Sequence, residues 1–387
     1  MKAVVFQAPK KVSVENEPDP KLEHPRDAIV RVTATAICGS DLHIYNGAFP
    51  QVGSLVLGHE FMGVVEEVGS EVRNLQPGDR VIVPFPIACG RCWFCEHQWP
   101  THCENSNKDH YGPEGGLLSQ KGGGLFGYTD LYGGYRGGQA QFARVPFADS
   151  GPRKVPEELS DEQALFLTDI LPTAYTGLRW AGVQPGETVA VWGCGPVGLM
   201  ALKLAGVMKA GKVIGVDILP YRLDAARRTA GAEVVNAAEA DPVEAVRSMT
   251  DGRGADVVIE AIGMEVDRNV LKKLANVLHM QRGSITAIER SFSAVRRGGR
   301  VSILGVYGTP YDNFPLGQLF DKGLRVQAGQ APVHVYVDEL MGLVKEGKVR
   351  GDDIISHRLP LSEAPRAYDI FNRKEDDCVK VVLDPWA

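Results

Sequence analysis

The sequence predicts an α/β chain of two domains, one β-rich and one built on a doubly wound parallel sheet. Three observations carry that prediction. The 387 residues exceed what one hydrophobic core accommodates, so the chain divides. A short apolar strand pattern at 188–192 runs into a glycine-rich turn and then a helical pattern. Well before it, four of the seven cysteines crowd into 89–103.

Composition narrows the functional class. With 44% apolar and 23% charged residues, the chain has the make-up of an ordinary soluble globular protein. A net charge of −6 without any Lys/Arg block argues against nucleic acid or an anionic membrane surface as partner. The start, Met1-Lys2-Ala3-Val4-Val5-Phe6, alternates like a strand and lacks a long apolar segment, so a cytoplasmic protein is expected. An odd number of cysteines, mostly clustered, favours metal binding in a reducing compartment over a disulfide framework.

The nucleotide half is the more regular. Thr188–Trp192 reads as a buried strand, Gly193-Cys194-Gly195-Pro196-Val197-Gly198 as G-x-G-x-x-G, and Leu199, Leu202, Leu204 and Ala205 as one helix face. In that setting the glycines let backbone approach a pyrophosphate at a helix N-terminus, the signature of a Rossmann domain. The next strand, Val213–Val216, ends in Asp217, whose carboxylate suits an adenosine ribose 2′-OH and favours NAD; Arg222 nearby keeps NADP open. Strand patterns at Asp256–Glu260 and Arg300–Gly305 continue the alternation. Cys194 reads as a small residue within the turn.

The first half carries metal chemistry. Cys89, Cys92, Cys95 and Cys103 have the spacing of a closed four-thiolate zinc site, saturated and therefore structural. Neighbouring disulfides, or substitution by His97, His102 or His110, are the alternatives; the Cys-x2-Cys-x2-Cys run is too tight to bridge comfortably. Cys38 and, about twenty residues later, His59 offer a thiolate and an imidazole for a second zinc. Two ligands fall short of a catalytic site, and a buried cysteine with a hydrogen-bonded histidine is the competing reading.

Taken together, Cys38-Gly39-Ser40-Asp41, Gly58-His59-Glu60, the four-cysteine lobe and the glycine turn resemble the zinc-containing medium-chain alcohol dehydrogenases over the whole chain. Leu167–Tyr175 and Gly123–Tyr128 look most like the glutathione-independent formaldehyde dehydrogenase and formaldehyde dismutase branch. The resemblance implies a GroES-like first domain and a third zinc ligand at Asp169, where many members have cysteine. It also implies Glu60 as a glutamate beside the zinc, Asp41 orienting His59, Ser40 and His43 as a proton relay, and Phe85 as a wall of the substrate pocket. Simpler roles stay open: a helix cap for Ser40 or Asp169, a solvent-facing His43, an ion pair for Glu60, core packing for Phe85.

The expected organisation is a catalytic domain at 1–160 and 329–387 with the Rossmann domain at 161–328 between, and substrate in the cleft. Two zinc ions and NAD are the expected cofactors, a small alcohol or aldehyde the partner, and a homodimer or homotetramer the assembly. The Gly- and Tyr-rich 112–138, too glycine-rich for regular structure, reads as a long, partly ordered loop that lines the active-site entrance or a subunit contact. Amphipathic helices are expected from Val266 to Leu274 and from Ser284 towards Arg296. A polyol, threonine or secondary-alcohol dehydrogenase is the rival enzyme reading; an idle NAD-binding protein is the non-enzyme one.

Overall fold

The computed structural model describes residues 1–49, 53–107, 122–263, 285–307 and 314–387. Two compact units emerge, Met1–Pro172 with Ala331–Ala387, and Thr173–Gln330. The first division falls later than residue 160 because Asp161 is tied back into the first unit: its carboxylate accepts from Thr33 Oγ1 and, at 2.7 Å, from Arg80 Nε.

The first unit is a β structure. Among the described residues its main sheet runs Arg153–Lys154, Arg80–Val83, Glu60–Val68, Ala28–Ile37, Val381–Asp384, His357–Pro360, with Phe142–Val145 also on Ala28–Ile37. Its long strands are rich in the β-branched residues that fit a pleated surface. Val30, Val32, Phe61, Val65, Val81 and Val83 fill one core, where Phe61 meets Phe126 edge-to-face at 5.3 Å.

Register does the positioning here. Ala36 opposes Glu60 and Ile37 opposes Val381, so three neighbouring strands bring Cys38, the His59–Glu60 pair and Lys380 to one end of the sheet. Because side chains alternate with period two, a one-residue slip would turn this set to the wrong face.

The second unit is a parallel sheet in the order Glu233–Asn236, Lys212–Asp217, Thr188–Trp192, Ala255–Glu260, Val295–Ile303, Arg325–Ala328. Numbered along the chain, that order is 3-2-1-4-5-6, every neighbour parallel, which is the Rossmann arrangement. Ala190, Ile214, Val258, Val301 and Phe292 are among the residues of its apolar core, as strands covered on both faces require. The helix expected from Ser284 spans Thr286–Ala294 and gives way to strand at Val295, earlier than the sequence pattern suggested. The helix expected at Val266–Leu274 lies outside the described residues. No described helix is long and apolar enough to cross a membrane.

One expectation needs correction. Within 112–138, residues 122–138 are not structureless: Gly124–Leu125 pairs antiparallel with Pro86–Ile87, and Asp130–Tyr132 forms a 3-10 turn. Glycine composition argued for a loop, but close backbone approach is what these glycines serve. Gly127, at φ +55°, sits so tightly on the backbone of Gly58 that a Cβ would lie about 2.5 Å from Gly58 oxygen.

Candidate metal and cofactor sites

Cys38, His59, Glu60 and Asp169 form one buried group whose ligand atoms all lie within 4.8 Å of one another. Cys38 Sγ is 3.2 Å and His59 Nε2 3.4 Å from Asp169 Oδ2. Tetrahedral zinc with arms of about 2.0–2.3 Å would separate such ligands by roughly 3.3–3.5 Å. The donor set therefore fits the ion, and its electrostatics ask for one. Burial, then the Asp169 and Glu60 carboxylates, push the Cys38 thiol up to about 12, an arrangement that a divalent cation reverses.

Supporting contacts fix each ligand. Asp41, fully buried, stands 3.0 Å from His59 Nδ1 through Oδ1; its Oδ2 accepts from Cys38 N at 2.9 Å and from Gln139 Nε2 at 3.2 Å. One carboxylate thus ties the backbone of the first ligand to the ring of the second. Burial alone would lower the His59 pKa, but Asp41 and Cys38 hold it well above the usual value. Asp169 follows the 3-10 turn Phe166–Thr168, whose Thr168 oxygen accepts from Phe85 N at 3.1 Å.

Ser40 occupies the N-cap position of the helix Asp41–Tyr45, yet its side chain makes no cap bond. Instead its Oγ lies 3.1 Å from His59 Nε2. His43 is half-buried on the same helix, its ring edge-to-face with Phe49 at 6.1 Å. Phe85 stands 6.0 Å from the His59 ring at 70°. On another side Tyr128 meets that ring at 6.3 Å.

Sequence reasoning missed Lys380. It is fully buried, and its Nζ lies 2.7 Å from both Glu60 oxygens while donating to Ile37 oxygen at 3.0 Å. Burial would lower the Lys380 pKa, but Glu60 raises it overall. Lys380 engages Glu60, so three of the four clustered ligands remain, the number an open catalytic zinc site takes. A lysine inside the apolar run Cys378–Leu383 was the available signal, but no spacing links it to Glu60.

The four-cysteine lobe forms a second group within the same 4.8 Å limit. Cys92 and Cys95 sulfurs are 3.4 Å apart, Cys92 and Cys103 4.0 Å, Cys89 and Cys95 4.0 Å. None is in a disulfide. His97 is stacked on Trp93 and His102 lies against Phe94 and Trp99, neither of them in the metal-ligand group; His110 lies outside the described residues.

In the second unit, Gly195 caps the helix Pro196–Val207, with Pro196 at its first position and Val197 next. Gly198 is packed so closely on Gly193 that any side chain would overlap the Gly193 carbonyl oxygen. Asp217 holds the turn: Oδ2 accepts from Cys194 N at 2.7 Å, and Oδ1 from Ile218 N at 2.7 Å and Leu219 N at 3.0 Å. Arg222 Nη1 is 3.8 Å from Asp217 and beside Gly195. Burial pushes the Cys194 thiol far up, which suits a packing role.

Known proteins bear on these sites. Residues 24–152 match the alcohol dehydrogenase GroES-like domain and 196–280 the zinc-binding dehydrogenase domain. An uncharacterised zinc-type alcohol dehydrogenase-like protein of Bacillus subtilis is 46% identical over 389 residues, covering 100% of both chains. A glutathione-independent formaldehyde dehydrogenase of Pseudomonas aeruginosa is 33% identical, covering 99% of this chain and 97% of its own. The solved alcohol dehydrogenase of Thermus sp. ATN1 superposes with a TM-score of 0.85 at 41% identity, covering 99% of each chain. With a GroES-like domain, a Rossmann domain and relatives matched end to end, the chain is an enzyme of the zinc-type alcohol dehydrogenase family.

Proposed function

We propose that this enzyme moves hydride between a short alcohol, or a hydrated aldehyde such as that of formaldehyde, and NAD. The observation that carries the reading is the buried convergence of Cys38, His59 and Asp169 with Glu60 held by Lys380. When bound there, zinc supplies a Lewis acid that lowers the pKa of an oxygen, and the nicotinamide supplies the hydride acceptor. Cys38, His59 and Asp169 hold the ion, and Cys89, Cys92, Cys95 and Cys103 hold a structural one.

The side chains divide the remaining work. Asp41 keeps the His59 ring in place. Ser40 Oγ receives the substrate hydroxyl proton, and His43 carries it towards water, a task suited to an imidazole, which can accept a proton at one ring nitrogen and release one from the other. Phe85 limits the volume beside His59. Glu60, held by Lys380 within the same cluster, would be available to a bound ion during ligand exchange. Gly193, Gly195, Pro196, Val197 and Gly198 cradle the pyrophosphate, and Asp217 with Arg222 addresses the adenosine ribose; a carboxylate at that end repels a 2′-phosphate and favours NAD over NADP. A hydrated aldehyde needs no thiol nucleophile, since one of its hydroxyls serves as the alcohol.

Metal analysis beside a substrate panel tests this. Wild-type protein is expected to hold two zinc ions per chain and to reduce NAD with short alcohols or formaldehyde in the absence of glutathione. Asp169→Ala is expected to keep one zinc and lose activity, with Asp169→Cys regaining the second ion. An Asp169→Ala protein that retains both ions would overturn the ligand assignment.

A further inference from the structure

The ring wall around His59 contains one polar group without an assignment. Tyr128 is only 6% exposed, enclosed by Phe49 at 5.7 Å, Tyr132 at 5.4 Å and the His59 imidazole at 6.3 Å. Its backbone is held just ahead of the ring. Gly127 is pressed on Gly58, the residue before His59, and Phe126 N donates to Phe85 oxygen at 3.3 Å. Yet the Tyr128 hydroxyl has no hydrogen-bond partner among the described residues.

The small exposure that Tyr128 keeps includes its O–H, which is not among the polar atoms shut off from solvent, so the hydroxyl is free to pair with a molecule that enters beside the His59 ring. Phe85 meets the same His59 ring without any polar atom, so a ring at position 128 needs no hydroxyl merely to fill space. An unpaired donor and acceptor in an otherwise apolar wall favours a ligand that brings an oxygen to it.

We propose that Tyr128 is a specificity-determining residue whose hydroxyl takes the second oxygen of a two-oxygen substrate, a vicinal diol or an aldehyde hydrate. The reacting oxygen belongs at the Cys38, His59 and Asp169 group, so this inference rests on the dehydrogenase reading above. A one-oxygen alcohol of equal size leaves the phenol unpaired, and the site rejects it to that extent.

The test compares ethylene glycol with 1-propanol, which differ by a hydroxyl in place of a methyl, in the zinc-loaded enzyme with NAD. Tyr128→Phe keeps the ring and the wall. It is expected to lower the ratio of kcat/KM for glycol over propanol by roughly 10- to 100-fold, leaving propanol oxidation near wild type. Dissociation constants of the two alcohols, measured by competition in the cofactor-bound protein, should shift by the same ratio. A ratio within threefold of wild type, in enzymes that both oxidise propanol, overturns the Tyr128 assignment alone. Wild-type protein that oxidises neither alcohol, and not formaldehyde either, overturns the dehydrogenase reading and the assignment with it.

Discussion

Replacing Lys380 by Met should expose how strongly the site depends on a buried counter-charge. Both partners of the Lys380–Glu60 pair are fully buried at 2.7 Å. At an effective dielectric near 20 their attraction is about 6 kcal/mol, so the lone carboxylate cannot stay charged in the variant. The cheaper response is to take up a proton. Starting from the ordinary 4.5, neutralising Glu60 at pH 7 costs about 3.4 kcal/mol, at about 1.36 kcal/mol per pH unit. The sign follows directly: Glu60 in the variant has a folded pKa above its unfolded one, so stability is retained near pH 4.5 and lost as pH rises. The deficit against wild type should therefore be about 3–4 kcal/mol at pH 7 and below about 1 kcal/mol at pH 5. Urea midpoints of the metal-free proteins, where no ion can stand in for the lost ammonium, would measure it. Adding Glu60→Gln removes the titrating group and should flatten the pH dependence and recover most of the loss. A single-variant deficit equal at pH 5 and pH 8, or a double variant no better than the single, would refute the reasoning.

Two further outcomes are expected. Gly198→Ala places a methyl group on the Gly193 carbonyl and should weaken NADH binding by ~100-fold in a fluorescence titration; a dissociation constant within threefold of wild type would contradict the cradle assignment. His334 retains some surface, but both its ring nitrogens are buried without a partner among the described residues, and burial, followed by Arg153, lowers its pKa to about 3. The unfolded chain thus takes the proton first as pH falls. Stability is intact above about 6.5 and lost towards pH 3, so His334→Phe should relieve about 2 kcal/mol of acid destabilisation at pH 5. Equal losses in wild type and variant between pH 7 and pH 5 would exclude that role.

Legibility in the sequence tracked the range of each interaction. The glycine turn and the four-cysteine run could be read because their partners lie within one short stretch, where spacing alone constrains geometry. Strand Thr188–Trp192 was located to the residue, since a buried parallel strand is a continuous apolar run. Asp169 was reached only through resemblance; nothing in its neighbourhood announces that it meets Cys38, 131 positions away. Lys380 and Tyr128 were overlooked for the same reason. A lysine in a strand and a tyrosine after a glycine run acquire meaning from register and from tertiary approach, neither of which composition records. The 122–138 segment was misread because abundant glycine signals both looseness and very close backbone contact, and here the second meaning held.

The pairing of Gly124–Leu125 with Pro86–Ile87 has a consequence for how such an enzyme diversifies. Of the proposed zinc ligands, Cys38 and His59 lie at one end of the central sheet and Asp169 after a 3-10 turn, whereas the Tyr128 ring arrives on a separate ribbon stitched to Thr101, Ser106 and Asn107 beside the cysteine lobe. A change of side chain at 128 can therefore leave the proposed ligands in place, whereas one at Gly127 would press on Gly58 beside His59. The proposed substrate contact and the proposed zinc ligands are thus carried on different lengths of chain.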